Sequence, residues 1–197
     1  MAARKGEMAP GDTLYVPERE AWRAWLLKNH DRRDNIWLIY PKKHTGRPRI
    51  PYADAVEEAL CFGWIDSNAK RIDGDTFAQR FSRRKGKGIL SQANIERVRR
   101  LIRLGKMTPA GLAVIGNPLL LEEQDLAIAP DILEALKEDP QVWENFLQFP
   151  GIYKRIRVAY IEGGRRHGDE AFQRRLRNFV RKTRANKQFG FGGVQTE

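Results

Sequence analysis

The chain has one cysteine in 197 residues, so no disulfide can close within it. With a single thiol and three histidines at His30, His44 and His167, none at ligand spacing from another, a structural zinc site is not expected. There is no apolar run of about 18 residues, which excludes a membrane-spanning helix. HExxH, GxSxG, Walker and dinucleotide-binding fingerprints are all absent, and so is any internal repeat. No cofactor is indicated. The opening stretch MAARKGEMAPGD lacks the apolar segment of a secretory signal, and the lone cysteine fits a reducing compartment, so a cytoplasmic location is expected.

Positive charge is abundant. The net charge is +11, and it is unevenly spread. Counting Lys and Arg against Asp and Glu, residues 1–69 carry +1, 70–116 carry +9, 117–151 carry −7 and 152–197 carry +8. Two basic blocks flank an acidic one. Such a pattern reads either as solvated faces balanced within the fold or as a surface for polyanions.

Periodicity places the elements. TLYV (Thr13–Val16) reads as a short strand and PEREAWRAWLLKN as a helix burying Ala21, Trp22, Trp25 and Leu26. NIWLIY (Asn35–Tyr40) fits a central strand, and YADAVEEALCF a helix ended by Gly63. Glu57-Glu58 on that helix reads as its solvent side, and Cys61 as a small core residue rather than a nucleophile. WIDSNAKRI and TFAQRFSRR then alternate with period two around Asp73-Gly74, a hairpin signal. On the first strand Trp64, Asp66 and Asn68 share one face, and Ile65 and Ala69 the other.

Ser91 caps a helix, SQANIERVRRLIRLG, with Ile95, Val98, Leu101 and Ile102 inward and Arg97, Arg99, Arg100 and Arg103 outward. Residues 107–130 lose their period. Helices are expected at 131–138, 141–148, 152–162 and 169–183. The fold class that follows is α+β: a small mixed sheet with a hairpin and packed helices, plus a C-terminal all-helical subdomain. The expected division is an α+β domain at 1–116, a connector at 117–130, helices at 131–185 and a disordered tail at 186–197.

Several blocks together resemble the YdeI/OmpD-associated, or bacteriocin-protection, family. They are EREAWRAWL, Lys42-Lys43 in YPKKHTG, YADAVEEALCFGWIDS, RFSRR, SQANIERV, Gly105–Gly111 and the helical PDILEALKEDPQVWENFLQFPGIYKRIRVAYI. The chain departs from that pattern at Arg83, where proline is common, and at Gly88–Ser91, where a tryptophan usually stands. It departs again near Ala171-Phe172, which replaces a Thr-Arg pair. The resemblance implies a cytoplasmic protein of bacteriocin or cationic-peptide tolerance, and no defined reaction.

Lys42, Lys43, Arg80 and Arg84 are expected to form a cationic cup at strand ends, suited to a small anion or a phosphate-bearing ligand. Tyr52 and Trp64 are candidate stacking platforms, and Asp66 and Asn94 candidate polar contacts. A two-residue loop sets Asp66 opposite Phe81, beside Ser82 and Arg80, and a four-residue loop sets it opposite Arg83. Asp66 then reads as one half of an Asp–Arg pair fixing the hairpin, as a ligand contact, or as a catalytic carboxylate. The leading reading is a non-enzymatic anion- or partner-binding protein. One alternative is a nucleic-acid-binding module on the 91–106 and 169–184 helices. The other is an enzyme with Asp66 as acid/base.

Overall fold

Apolar residues spaced at i, i+4 make one buried helix face: Trp22 and Leu26 are both fully buried. The computed structural model describes residues 12–85, 90–115 and 125–190. They form strands β1 (Thr13–Leu14), β2 (Asn35–Pro41), β3 (Trp64–Arg71) and β4 (Thr76–Arg83). The helices are α1 (Arg19–Asn29), α2 (Tyr52–Cys61), α3 (Gln92–Arg103), α4 (Pro109–Ala113), α5 (Pro130–Lys137), α6 (Pro140–Gln148), α7 (Gly151–Glu162) and α8 (Asp169–Arg184). The fold is α+β with a mixed four-stranded sheet, as the periodicity predicts. The chain separates into two compact units, 1–89 with 98–118, and 90–97 with 119–197, so the division falls within α3.

In the first unit the sheet order is β1-β2-β4-β3, with β1 parallel to β2 and the other pairs antiparallel. Ile36, Leu38, Tyr40 and Phe81 share one face, which receives Trp22 of α1 against Phe81, ring centroids 5.5 Å apart. The Trp22 indole N–H donates to the Ala55 carbonyl of α2 at 3.0 Å, which ties the two helices together.

Glu57 and Glu58 are not on a solvent face. Each is 2 % exposed. Arg19 reaches Asp54 at 2.9 Å, Glu57 at 3.0 Å and Glu58 at 2.6 Å, Arg23 reaches Glu58 at 2.7 Å, and Arg100 reaches Glu57 at 3.2 Å. A buried carboxylate persists only when paired in this way. The same correction applies to α3, where Arg97 and Arg99 are buried rather than outward.

Residues 107–115 are not irregular throughout. Thr108 caps α4 by accepting from the Gly111 N–H at 3.2 Å, and its hydroxyl and N–H both donate to the Cys61 carbonyl, at 2.6 and 3.1 Å. That satisfies an orphan carbonyl at the end of α2. Gly63 turns the chain with φ +75°, and a Cβ at Gly111 would overlap the Cys61 carbonyl. A helix of five residues is too short to print a period, which is why it was illegible.

The second unit has its own core of Ile132, Leu136, Val142, Phe146, Phe149, Tyr153, Ile161, Phe172, Leu176 and Phe179. The expected helices stand within a residue or two of their predicted bounds. Disorder from 186 onward does not hold for 186–190. Phe189 packs on this core, and its N–H donates to the Tyr153 hydroxyl at 3.3 Å. The expectations about residues 1–11, about Gly88-Ile89, about the connector at 117–124 and about the tail at 191–197 fall outside the described residues.

Two outcomes are expected from denaturant titration. Arg19→Met leaves buried carboxylates short of a partner and should cost about 3–5 kcal/mol. Gly111→Ala forces α4 off the end of α2 and should cost about 3 kcal/mol. A loss below about 1 kcal/mol in either variant would show that the contact does not hold the unit together.

Candidate functional site

The hairpin decides where the polar groups go. β3 and β4 pair as Trp64↔Arg83, Ile65↔Ser82 and Asp66↔Phe81, then shift to Ala69↔Gln79, Lys70↔Ala78 and Arg71↔Phe77. Ser67 and Asn68 together oppose Arg80, a β-bulge. Asp66 therefore faces Phe81, the pairing expected from the shorter loop, although the connection spans Ile72–Asp75. Asp73 builds that turn by accepting from the N–H groups of Asp75 and Thr76, at 2.7 and 2.6 Å, which holds its carboxyl below the usual range. Past the bulge the faces exchange, so Ala69 pairs with Gln79 on the Asp66 side, not on the Ile65 side.

Asp66 has no guanidinium partner among the described residues. Its Oδ2 accepts from the Tyr52 hydroxyl instead. The Asp–Arg pair expected to fix the hairpin is therefore absent, because Arg80, Ser82 and Arg84 alternate onto the opposite face of β4. Close by, the Tyr40 hydroxyl is buried with no hydrogen-bond partner. Burial, followed by the nearby Tyr52, pushes the Tyr40 phenol pKa upward. Burial likewise pushes the Cys61 thiol up to about 11, which leaves it a poor nucleophile at neutral pH.

Trp64 is 1 % exposed, with its indole N–H on the His30 carbonyl at 3.1 Å and Trp25 packed edge-on at 5.8 Å. It is a core residue and offers no stacking platform. Tyr52 is exposed. Lys42 caps the hairpin turn, donating to the Gly74 carbonyl at 2.6 Å, and Lys43 is exposed in a 3-10 turn, Lys43–Thr45. Asn94 belongs to the second unit and accepts from Arg97 at 2.8 Å.

The four-cation cup does not assemble. Lys42 bonds beside Asp75 at one end of β4, whereas the Arg84 N–H bonds to Gly63 past the other end. Eight residues of strand, about 26 Å, separate them. Arg80 and Arg84 do meet, in an open cavity of about 560 Å³ lined by Asp34, Asn35, Ile65, Arg80, Ser82, Arg83, Arg84 and Lys85. Four cations there face the single carboxylate of Asp34. Arg83 donates to the Asp31 carbonyl at 3.2 Å. Among the described residues the buried Arg84 Nε has no partner, and neither Arg80 nor Arg84 has an ion pair. Sequence reasoning missed Asn35 and Asp34, which reach the cavity because Asn35 pairs with Ser82 across β2 and β4.

With this geometry in hand, residues 14–114 match the family model described as "Domain of unknown function (DUF8412)", just over half of the chain. The chain belongs to this family. Residues 125–186 match a second model, "Bacteriocin-protection, YdeI or OmpD-Associated". The likeness to that second family thus holds for the helical segment. The GWIDS, RFSRR and PAG blocks read as its markers lie inside the DUF8412 match instead, and short blocks bind a sequence to a family less firmly than a match along its length. No curated protein and no solved structure matches the chain.

Among the described residues no helix of the DUF8412 protein is long and apolar enough to cross a membrane, and no cluster of three acidic, histidine or cysteine residues forms a metal site. Burial of Arg97 and Arg99 removes two of the outward charges on which the nucleic-acid reading of α3 rested.

The Tyr52–Asp66 bond can be tested by a double-mutant cycle. Tyr52→Phe and Asp66→Asn should each cost about 1 kcal/mol in urea unfolding, and the double variant no more than the larger single loss. Strict additivity would show that the two side chains are uncoupled.

Proposed function

We propose that the DUF8412 unit binds a small oxyanion, a phosphate or carboxylate group, in the cavity of Arg80, Ser82, Arg83 and Arg84. The observation that carries this reading is Arg84, a cavity-lining guanidinium with no ion pair, and a buried Nε with no acceptor, among the described residues. Guanidinium donors are arranged as a fork that a phosphate or carboxylate meets with two parallel bonds. The Ser82 hydroxyl and the Asn35 amide supply neutral polar groups on the same wall. The match over 125–186 supports a bacteriocin-protection-like setting. In that setting the protein takes part in tolerance of bacteriocins or cationic peptides by holding a ligand or partner, in the cytoplasm, rather than by catalysing a reaction.

A second reading, acid–base chemistry at Asp66, is favoured by the Tyr52–Asp66 bond beside the unpartnered Tyr40 hydroxyl. It places a carboxylate and two phenols at one spot, on the sheet face opposite the arginines.

Residue-resolved NMR titration with inorganic phosphate at low ionic strength tests the first reading. Saturable shifts are expected at the Ser82 and Arg84 amides. Arg84→Met should weaken the affinity about tenfold, about 1.4 kcal/mol, and Lys43→Met should leave it unchanged. If Arg84→Met binds as tightly as the unaltered protein, the reading is wrong.

A further inference from the structure

Among the described residues of the second unit, Arg157 is a guanidinium that no carboxylate neutralises. Arg157 lies on α7 and is 2 % exposed. Its Nη1 donates to the Gly190 carbonyl at 3.1 Å. Its Nε and Nη2 are buried with no hydrogen-bond partner. Aromatic rings surround the group: Phe189 at 4.1 Å, Tyr160 at 4.7 Å and Phe179 at 5.8 Å from Cζ to centroid.

A second cation stands over the same tyrosine. Arg175 lies 4.2 Å from the Tyr160 ring centroid, and its Nη1 donates to the Tyr160 carbonyl at 2.7 Å. Neither Arg157 nor Arg175 has an ion pair with a carboxylate among the described residues. Ring faces offset part of the charge, but they do not accept the in-plane N–H bonds that a guanidinium offers. Burying such donors unmet is costly, and evolution rarely retains the cost without a use.

What covers Arg157 is the stretch after α8. The chain leaves the helix at Asn186 with φ 49°, and Phe189 and Gly190 then fold back. Its anchors are the Phe189 ring, the Phe189 N–H on the Tyr153 hydroxyl and the Gly190 carbonyl on Arg157. Gly190 has φ +63°, and a Cβ there would stand 2.8 Å from Nη1, so only glycine lets the carbonyl approach.

We propose that Arg157, with Arg175 and the Tyr160 ring, forms a second oxyanion site for a carboxylate or phosphate group, and that Lys187–Gly190 is the strap that closes it. A carboxylate or phosphate brings several acceptor lone pairs to the edge that the Gly190 carbonyl, bonded to Nη1, leaves unmet, enough to meet Nε and Nη2 together. The Phe189 ring of the strap lies over that guanidinium, 4.1 Å from Cζ to centroid, and bars an anion's approach, so loosening the strap raises affinity. This site lies in a different unit from the Arg84 cavity and stands or falls separately from it.

The full chain is titrated with inorganic phosphate, and in a parallel arm with acetate, at constant ionic strength. The Phe189 and Gly190 amides and the Arg157 Nε–H are followed by NMR. In the unaltered protein at least one anion should give saturable shifts there, and the responding arm tells a phosphate site from a carboxylate site. Phe189→Ala should tighten binding at least fivefold. Arg157→Met should abolish these shifts, whereas Arg84→Met should leave them in place. Absence of saturable shifts for both anions, in the unaltered protein and in Phe189→Ala alike, overturns the proposal without reference to whether Arg157→Met folds. Persistence of the shifts in a folded Arg157→Met variant overturns it as well.

Discussion

Two adjacent glutamates buried in one helix set the terms for the first unit. Glu57 and Glu58 cannot leave water unless cations follow them in, because an isolated carboxylate in a low-dielectric interior costs far more than one domain can spare. Arg19, Arg23 and Arg100 follow them. The consequence is geometric. Arg19 and Arg23 lock α1 onto α2, and Arg100 does the same from the second half of α3. With α2 held at this angle, its first residue, Tyr52, reaches Asp66, and its last carbonyls meet Thr108 and the glycine of PAG.

The sheet then sorts charge by parity. On β4 alternate side chains go to opposite faces, so Gln79 and Phe81 are buried on one face while Arg80, Ser82 and Arg84 turn to the other. A bulge at Ser67-Asn68 reverses the parity of β3 halfway along, which separates Asp66 from Lys70 and moves Ala69 to the Asp66 side. The polar residues that looked like one cluster in the sequence thereby become two, a Tyr52–Asp66 pair on one face and an arginine cavity on the other. Each is chemically simpler than the combined cluster.

Both units retain arginines that are short of acceptors, and the surroundings differ. Arg84 lines an open cavity beside Ser82 and Asn35. Arg157 is buried under aromatic rings and a folded-back stretch of chain.

The amino-acid sequence alone determined the element order, the α+β class, the hairpin and the helices of the second unit. These depend on local period, caps and turn residues such as Asp73-Gly74, Ser91 and Gly63, whose effects act within a few residues. Alternation along TFAQRFSRR also sets Arg80, Ser82 and Arg84 on one strand face, because it needs no distant partner. Only the tertiary structure decided which charges are buried. Glu57 and Glu58 read as solvated because their arginines lie up to 43 residues away in the chain. Only the tertiary structure decided that Trp64 is core, that Asp66 answers to Tyr52 rather than to an arginine, and that Lys42 and Arg84 stand at opposite ends of a strand. Burial and pairing are properties of contacts between remote segments, and a periodic pattern carries no record of which segments will meet.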